Sequence, residues 1–175
     1  MKMHKLFIVV LTAIFIFSCS SDDDNSNNNQ NVNGFTFNGT FYSAPQVFLN
    51  DENTTDNSPS DLAIIMSNVN LLTANQNSGV NFVYFDFNGV TFETATVTVI
   101  PDYNIIENGA ISNLQVTGGT TVLDDTQSGL TATSTSVTIN SFTASSINFT
   151  FSFTREDGEV ITGNYSGSYT DISGL

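Results

Sequence analysis

Any chemistry done by this chain has to be oxygen chemistry. Beyond residue 19 there is no His, Lys or Cys, and the reactive inventory is 17 carboxylates, five Tyr phenols, abundant Ser, Thr and Asn, and a single cation, Arg155. A Ser-His-Asp or Cys-His apparatus, a Schiff-base lysine and a His-ligated zinc are thereby excluded, because each needs an imidazole, an amine or a thiolate. A pair of carboxylates at the right separation can still hydrolyse a glycoside. Asp86 and Glu93, on either side of the Asn88-Gly89 turn, are the pair the spacing offers. Acidic residues beside a turn are also the ordinary solvated rim of a sheet, and that reading is the stronger. The chain is therefore read as a non-enzyme, with a carboxylate-dependent glycoside hydrolase as the alternative.

Hard cations are a second use of oxygen. Calcium takes roughly six to eight oxygen ligands, and two stretches concentrate carboxylates: Asp51, Glu52, Asp56 and Asp61, then Asp124 with Asp125. Neither has the spaced acidic pattern of an EF-hand loop, so a charged loop guarding a sheet edge competes with a metal site. Ca²⁺ is the one cofactor these donors would accept, and no other is expected. A third use is sugar recognition, in which an aromatic platform is combined with amide and carboxylate hydrogen bonding. Tyr103, Tyr165 and Tyr169 are the candidate ligand-binding residues, although the absence of Trp removes the largest stacking face. Tyr165 and Tyr169 suit core or edge packing equally well. Tyr103 falls with Ile105 and Ile106 in the stretch Pro101–Gly109, which reads as an exposed loop with apolar contacts. Arg155 sits beside Glu156, Asp157 and Glu159, where an exposed compensating charge contributes little.

The elements that must position these groups are strands. Asn, Thr and Ser make 65 of 175 residues and Phe makes 15, a composition that favours pleated sheet over helix. Phe35, Phe37 and Phe41 flank Asn38-Gly39, a strong hairpin signal. Leu62–Asn68 is a continuous apolar run, and Val80–Phe87 is apolar on both faces, as a central strand requires. Thr94–Ile100 alternates Ala95, Val97 and Val99 against threonines, and Ile111–Thr117 and Thr131–Phe142 are two more strands. Ile147, Phe149, Phe151 and Phe153 alternate with polar residues up to Asp157-Gly158, and the return strand carries Ile161, Tyr165 and Tyr169. The pattern predicts an all-β domain over 34–175, an antiparallel β-sandwich or partly open β-barrel of about eight to ten strands.

Residues 1–33 read differently. Lys2 and Lys5 precede Leu6–Phe17, twelve residues whose only polar member is Thr12, too short for a bilayer span of about 20 and suited to the apolar region of a secretory signal over residues 1–18. Ser18 and Cys19, the only cysteine, follow. Ile16-Phe17-Ser18-Cys19 resembles a bacterial lipobox, which implies lipidation of Cys19. Ser20, Ser21, Asp22, Asp23 and Asp24 resemble the Ser-plus-acidic export signal of Bacteroidota lipoproteins of flavobacterial type, which implies an outer-membrane protein facing the cell exterior. The opening Phe35-x-Phe37-Asn38-Gly39-x-x-Tyr42 and closing Gly163-x-Tyr165-x-Gly167-x-Tyr169 are similar to small β-rich lipoproteins of the same group. Residues 19–33 would form a lipidated, acidic, Asn-rich tether reaching on the order of 20 Å.

Without residues 1–18 the chain keeps 17 acids and one cation, a formal charge near −16. A basic footprint for nucleic acid is absent. The expected partners are the membrane through the lipid anchor and an outer-membrane protein complex or a glycan. The expected function is a cell-surface binding or structural accessory module in glycan or nutrient capture, with an adhesin or envelope-coat protein as a further alternative. Address and fold class alone support this reading, by analogy.

Overall fold

The computed structural model describes residues 33–51 and 60–175. Alternating apolar and polar side chains put most of them into strands: β1 Gly34–Phe37, β2 Thr40–Ser43, β3 Gln46–Asp51, β4 Ser60–Ser67, β5 Gln76–Gly89, β6 Ala95–Val97, β7 Asp102–Ser112, β8 Gln115–Thr117, β9 Thr120–Asp124, β10 Ala132–Phe142, β11 Ser146–Arg155, β12 Val160–Ser168 and β13 Thr170–Asp171. One sheet has the order β2-β1-β12-β11-β10-β6 and the other β13-β3-β4-β5-β7-β8, with β9 also paired to β7. The chain is an all-β sandwich whose two sheets do not close into a barrel. Thirteen strands are seen among the described residues, more than the eight to ten anticipated, because β3, β7, β9 and β13 fall in stretches where the sequence reading places no strand. A segment as short as the two-residue β13 carries too little periodicity to be read from sequence.

The core lies between the sheets. Ile147, Phe149, Phe151 and Phe153 of β11 face Val83, Phe85 and Phe87 of β5 and Leu62, Ile64 and Met66 of β4, and each is at most 4 % exposed. Phe85 sits against three rings of β11, at centroid distances of 6.1 Å to Phe149, 5.6 Å to Phe151 and 6.0 Å to Phe153. The second face of β5 is apolar for a separate reason. Val80 joins Phe48, Leu71 and Ile111 in a smaller cluster on the outside of its sheet, with Phe82 and Ile65 packed against it. As the two-sided pattern predicts, β5 lies inside the sheet, between β4 and β7.

Three segments depart from the sequence reading. Pro101–Gly109 is not an exposed loop: Asp102 onward is β7, and Tyr103, Ile105 and Ile106 are buried. Ile105 belongs to the core between the sheets, and Ile106, the next residue along the strand, is buried as well. The strand anticipated over Thr94–Ile100 stops at Val97, and Val99 is 77 % exposed. There the chain leaves one sheet for the other, and Pro101 has no N–H to continue a ladder. Ile111–Thr117 is broken into the end of β7 and β8 by a two-residue turn, Asn113-Leu114, with φ of 51° and 65°. Both values are positive, as a type I′ hairpin requires, but Leu supplies no turn signal and carries a steric cost in that conformation.

Leu114 is 62 % exposed, so little packing offsets that cost. Leu114→Gly is expected to stabilise the fold by about 1 kcal/mol. Urea unfolding measures it; an unchanged or lower midpoint would mean that the leucine gains more from its surroundings than the turn loses.

Candidate functional site

A pocket that combines aromatic, hydroxyl and carboxylate side chains is formed where the two sheets end. Strand β3 contributes Leu49 and Asp51, the β5–β6 connection Thr91 and Phe92, the end of β10 Phe142, and the C-terminal segment Tyr169, Asp171 and Ser173, around a space of about 290 Å³. The C-terminal segment is placed by β13, which runs parallel to β3 with Thr170 opposite Phe48 and Asp171 opposite Leu49. The Ile172 N–H donates to the Leu49 carbonyl at 2.9 Å and extends that attachment.

The aromatic wall is continuous. Tyr169 stacks on Phe142 at 5.6 Å and 22°, Phe92 tilts onto Phe142 at 5.7 Å and 44°, and Phe92 meets buried Phe87 edge-on at 6.1 Å. Offset and edge contacts of this kind favour fixed ring positions. The Tyr169 hydroxyl donates to the Thr143 carbonyl at 3.1 Å, which holds the ring down on the strand end. On the polar side the Asp51 N–H donates to Ser173 Oγ at 2.9 Å, and the Ser173 N–H donates to Asp171 Oδ1 at 2.9 Å.

Two of the residues singled out from sequence thus meet in one place, Tyr169 as a candidate platform and Asp51 as a candidate metal ligand. The other two tyrosines are core residues. Tyr103 is 6 % exposed, packs on Phe153 at 5.5 Å, and its hydroxyl accepts the Ala132 N–H at 2.8 Å. Tyr165 is 3 % exposed, stacks on Phe149 at 5.8 Å, and donates its hydroxyl to the Ser168 carbonyl. Burial pushes the Tyr165 phenol above its ordinary pKa.

Asp124 and Asp125 have different surroundings. Asp124 Oδ1 accepts from the Thr126 N–H at 2.9 Å and hydroxyl at 2.7 Å, and Oδ2 accepts from the Asn104 amide at 2.9 Å. Partial burial alone would raise this carboxyl, but those hydrogen bonds outweigh it and hold it below the usual value. Asp125 instead lines a second, more open cleft of about 610 Å³ bounded by Thr98–Pro101 and Ala132–Ser136. Among the described residues no three His, Cys, Asp or Glu form a group able to hold a metal ion. Asp61 pairs with Asn88 in the β4–β5 register, whereas Cys19, Ser20, Ser21, Asp22, Asp23, Asp24, Glu52 and Asp56 lie outside the described residues.

Asp86 is buried on β5 and accepts the Tyr84 hydroxyl at 2.8 Å, while Glu93 is exposed in the β5–β6 connection. The carboxylate that the sheet places opposite Asp86 is Asp102 of β7. Arg155 also differs from expectation, since its side chain is only 12 % exposed. It chelates Asp157, donates to the Val122 carbonyl of β9 at 2.9 Å and lies 5.2 Å from the Phe37 ring centroid. The cation therefore joins the β11–β12 hairpin tip to the opposite sheet.

Phe92, Phe142, Thr91, Asp171 and Ser173 were not anticipated as site residues. They come from three distant segments, and only the topology brings them together. The chain matches no protein family, no curated protein and no solved structure. Its site stands on geometry alone.

At the end of β7 partial burial, then the charges of Asp125 and Asp86, hold the Asp102 carboxyl above its ordinary value. The folded state then binds this proton more tightly than the unfolded chain, so stability falls as pH rises from the ordinary carboxylate value through the raised one. The deficit is complete at neutral pH. Asp102→Asn should therefore raise Tm at about pH 7, and the gain should vanish by about pH 3, where wild-type Asp102 is protonated in both states. Scanning calorimetry at the two pH values checks it, and an equal gain at both would assign the effect to something other than ionisation.

Proposed function

We propose that this chain is a lipid-anchored binding module of the cell surface that captures a small ligand in the pocket formed by Phe92, Phe142, Tyr169, Asp51 and Asp171. The observation that carries the reading is the aromatic wall beside carboxylates around an open space, since ligand pockets combine apolar and aromatic lining with a few fixed polar groups. Three rings left half-buried at the end of a sandwich are otherwise a loss of apolar burial. Beyond Cys19 the chain has none of the nitrogen or thiol groups that most hydrolases use, which favours capture over conversion.

The address comes from the leader. Cys19 after a short apolar run, followed by Ser20-Ser21-Asp22-Asp23-Asp24, supports acylation and export to the outer face of the outer membrane. Each buried CH₂ of an acyl chain contributes about 0.8 kcal/mol, so a multiply acylated cysteine holds firmly where one chain would not. An anchored module with its own pocket suits an accessory role beside an outer-membrane uptake complex, for nutrients or for units of a glycan.

Two measurements test the proposal. Metabolic labelling with an alkyne fatty acid and mapping of the N-terminal peptide should show a lipidated chain beginning at Cys19, and Cys19→Ala should abolish the label. A thermal-shift panel of neutral monosaccharides, amino acids and small amines should contain a stabilising class, with Phe92→Ala weakening that ligand about tenfold or more and Phe41→Ala, at an exposed ring away from the pocket, leaving it unchanged. A chain that retains Met1 removes the anchor, and a panel silent in every class removes the capture role.

A further inference from the structure

We infer that the pocket lined by Phe92, Phe142, Tyr169 and Asp171 selects an organic cation, an ammonium group carried on a small apolar body. This rests on the pocket being the ligand site and names the class of ligand it takes.

The donor and acceptor inventory of the lining points that way. A sugar hydroxyl both donates and accepts, so a sugar site must offer donors as well as acceptors. Here the donors are committed. The Tyr169 hydroxyl is used on the Thr143 carbonyl, the Asp51 N–H on Ser173 Oγ, and the Ser173 N–H on Asp171 Oδ1. The lining contains no Asn, Gln, Lys or Arg, although Asn is among the commonest residues of the chain. Side-chain donors in the lining reduce to the hydroxyls of Thr91 and Ser173, set against the carboxylate of Asp171, whose Oδ1 takes the Ser173 N–H, and that of Asp51, which has an interaction of its own. A surface rich in acceptors fits a ligand that only donates, or that carries positive charge without donating.

The ring faces add the second component. Phe92, Phe142 and Tyr169 line the space, an aromatic ring attracts a cation that reaches its face, and Phe142 is in contact with both of the other rings. Cation–π attraction and a carboxylate act together most effectively in a partly desolvated space, and Phe92, Phe142 and Tyr169 are each half-buried. Competition from the protein's own cations is weak. The one Arg beyond the leader is held by Asp157 and the Val122 carbonyl and does not line this pocket. The large net negative charge also raises the local concentration of cations at the surface, an effect that salt screens.

Size sets a limit on the ligand. A space of about 290 Å³ is at the small end of ligand pockets and suits a compact group such as a trimethylammonium or a short alkylamine.

The test is calorimetric titration of the full-length protein in mild detergent with choline, with the uncharged isostere in which carbon replaces the quaternary nitrogen, and with glucose. Choline should bind at least about tenfold more tightly than its isostere, and its affinity should fall as salt is raised. Asp171→Asn keeps an oxygen for the Ser173 N–H, so the fold is retained; it should weaken choline about five- to tenfold and leave the isostere unchanged. Asp157→Asn, at the far hairpin tip, should change neither. Equal binding of choline and isostere, or tighter glucose binding with Asp171→Asn silent, overturns the cation assignment while the capture role stands. Failure of all three probes, together with a thermal-shift panel silent in every class, overturns both.

Discussion

The contact on which the rest of the structure depends is the seating of Phe85 among Phe149, Phe151 and Phe153. It is the point at which the two sheets are held face to face, and ring contacts of this kind contribute about 0.5–1.5 kcal/mol each beyond the area they bury. Room for it is made on the neighbouring strand. A Cβ at Gly163 would stand 2.2 Å from the Phe151 ring, so only glycine lets that ring lie flat over β12. Four residues along, a Cβ at Gly167 would stand 3.0 Å from the Tyr165 hydroxyl. The spacing Gly163-x-Tyr165-x-Gly167 is thus a packing device for the large rings of the core.

The acidity of the chain constrains everything outside that core. Few carboxylates have a cation to meet, so they stand on rims and turns or are satisfied by neutral donors, as Asp124 is by Thr126 and Asn104. Arg155 is the one Lys or Arg among the described residues: it clamps Asp157, reaches across to Val122 and lies against Phe37, joining both sheets at the hairpin tip. Asp157 is held down to about 2 by Arg155 and the Glu159 N–H. At this exposed carboxylate the effect is local and solvent-screened, and the benefit to the folded state is present above the ordinary carboxylate value and lost as pH falls through the lowered one.

How much of this was legible in the sequence follows the length of each pattern. The long runs β10, β11 and β12 are readable because a period of two repeated over many residues points to a half-buried strand, and β5 because an apolar run on both faces points to a central one. The Asn38-Gly39 and Asp157-Gly158 turns were readable because Gly39 and Gly158, with φ of 70° and 88°, sit where glycine is favoured. Segment 101–109 was misread because Pro101, Asn104 and Asn108 look like loop residues. Asn104 reaches across to Asp124, and Asn108, at φ of 55°, accepts the Gly79 N–H, so both asparagines serve strand contacts. The site was half legible. Asp51 and Tyr169 stood out by type, while Phe92 and Phe142 resembled any other strand-end phenylalanine, and no local pattern records that four segments converge.

That convergence links stability to binding. The pocket is built from β3, the β5–β6 connection, the end of β10 and the C-terminal segment, so its walls belong to both sheets and to the short parallel strand that closes one edge. β13 has two residues and is held by few hydrogen bonds, which makes its attachment to β3 one of the less stable contacts of the fold. Under the proposed capture role, a ligand touching Tyr169 and Asp171 from one side and Phe92 and Phe142 from the other would bind only when that attachment is made. Its occupancy would then stabilise the attachment of β13 to β3 by the same free energy that the attachment contributes to affinity. The two-residue strand is, for this reason, the element whose stability such a ligand would change most directly.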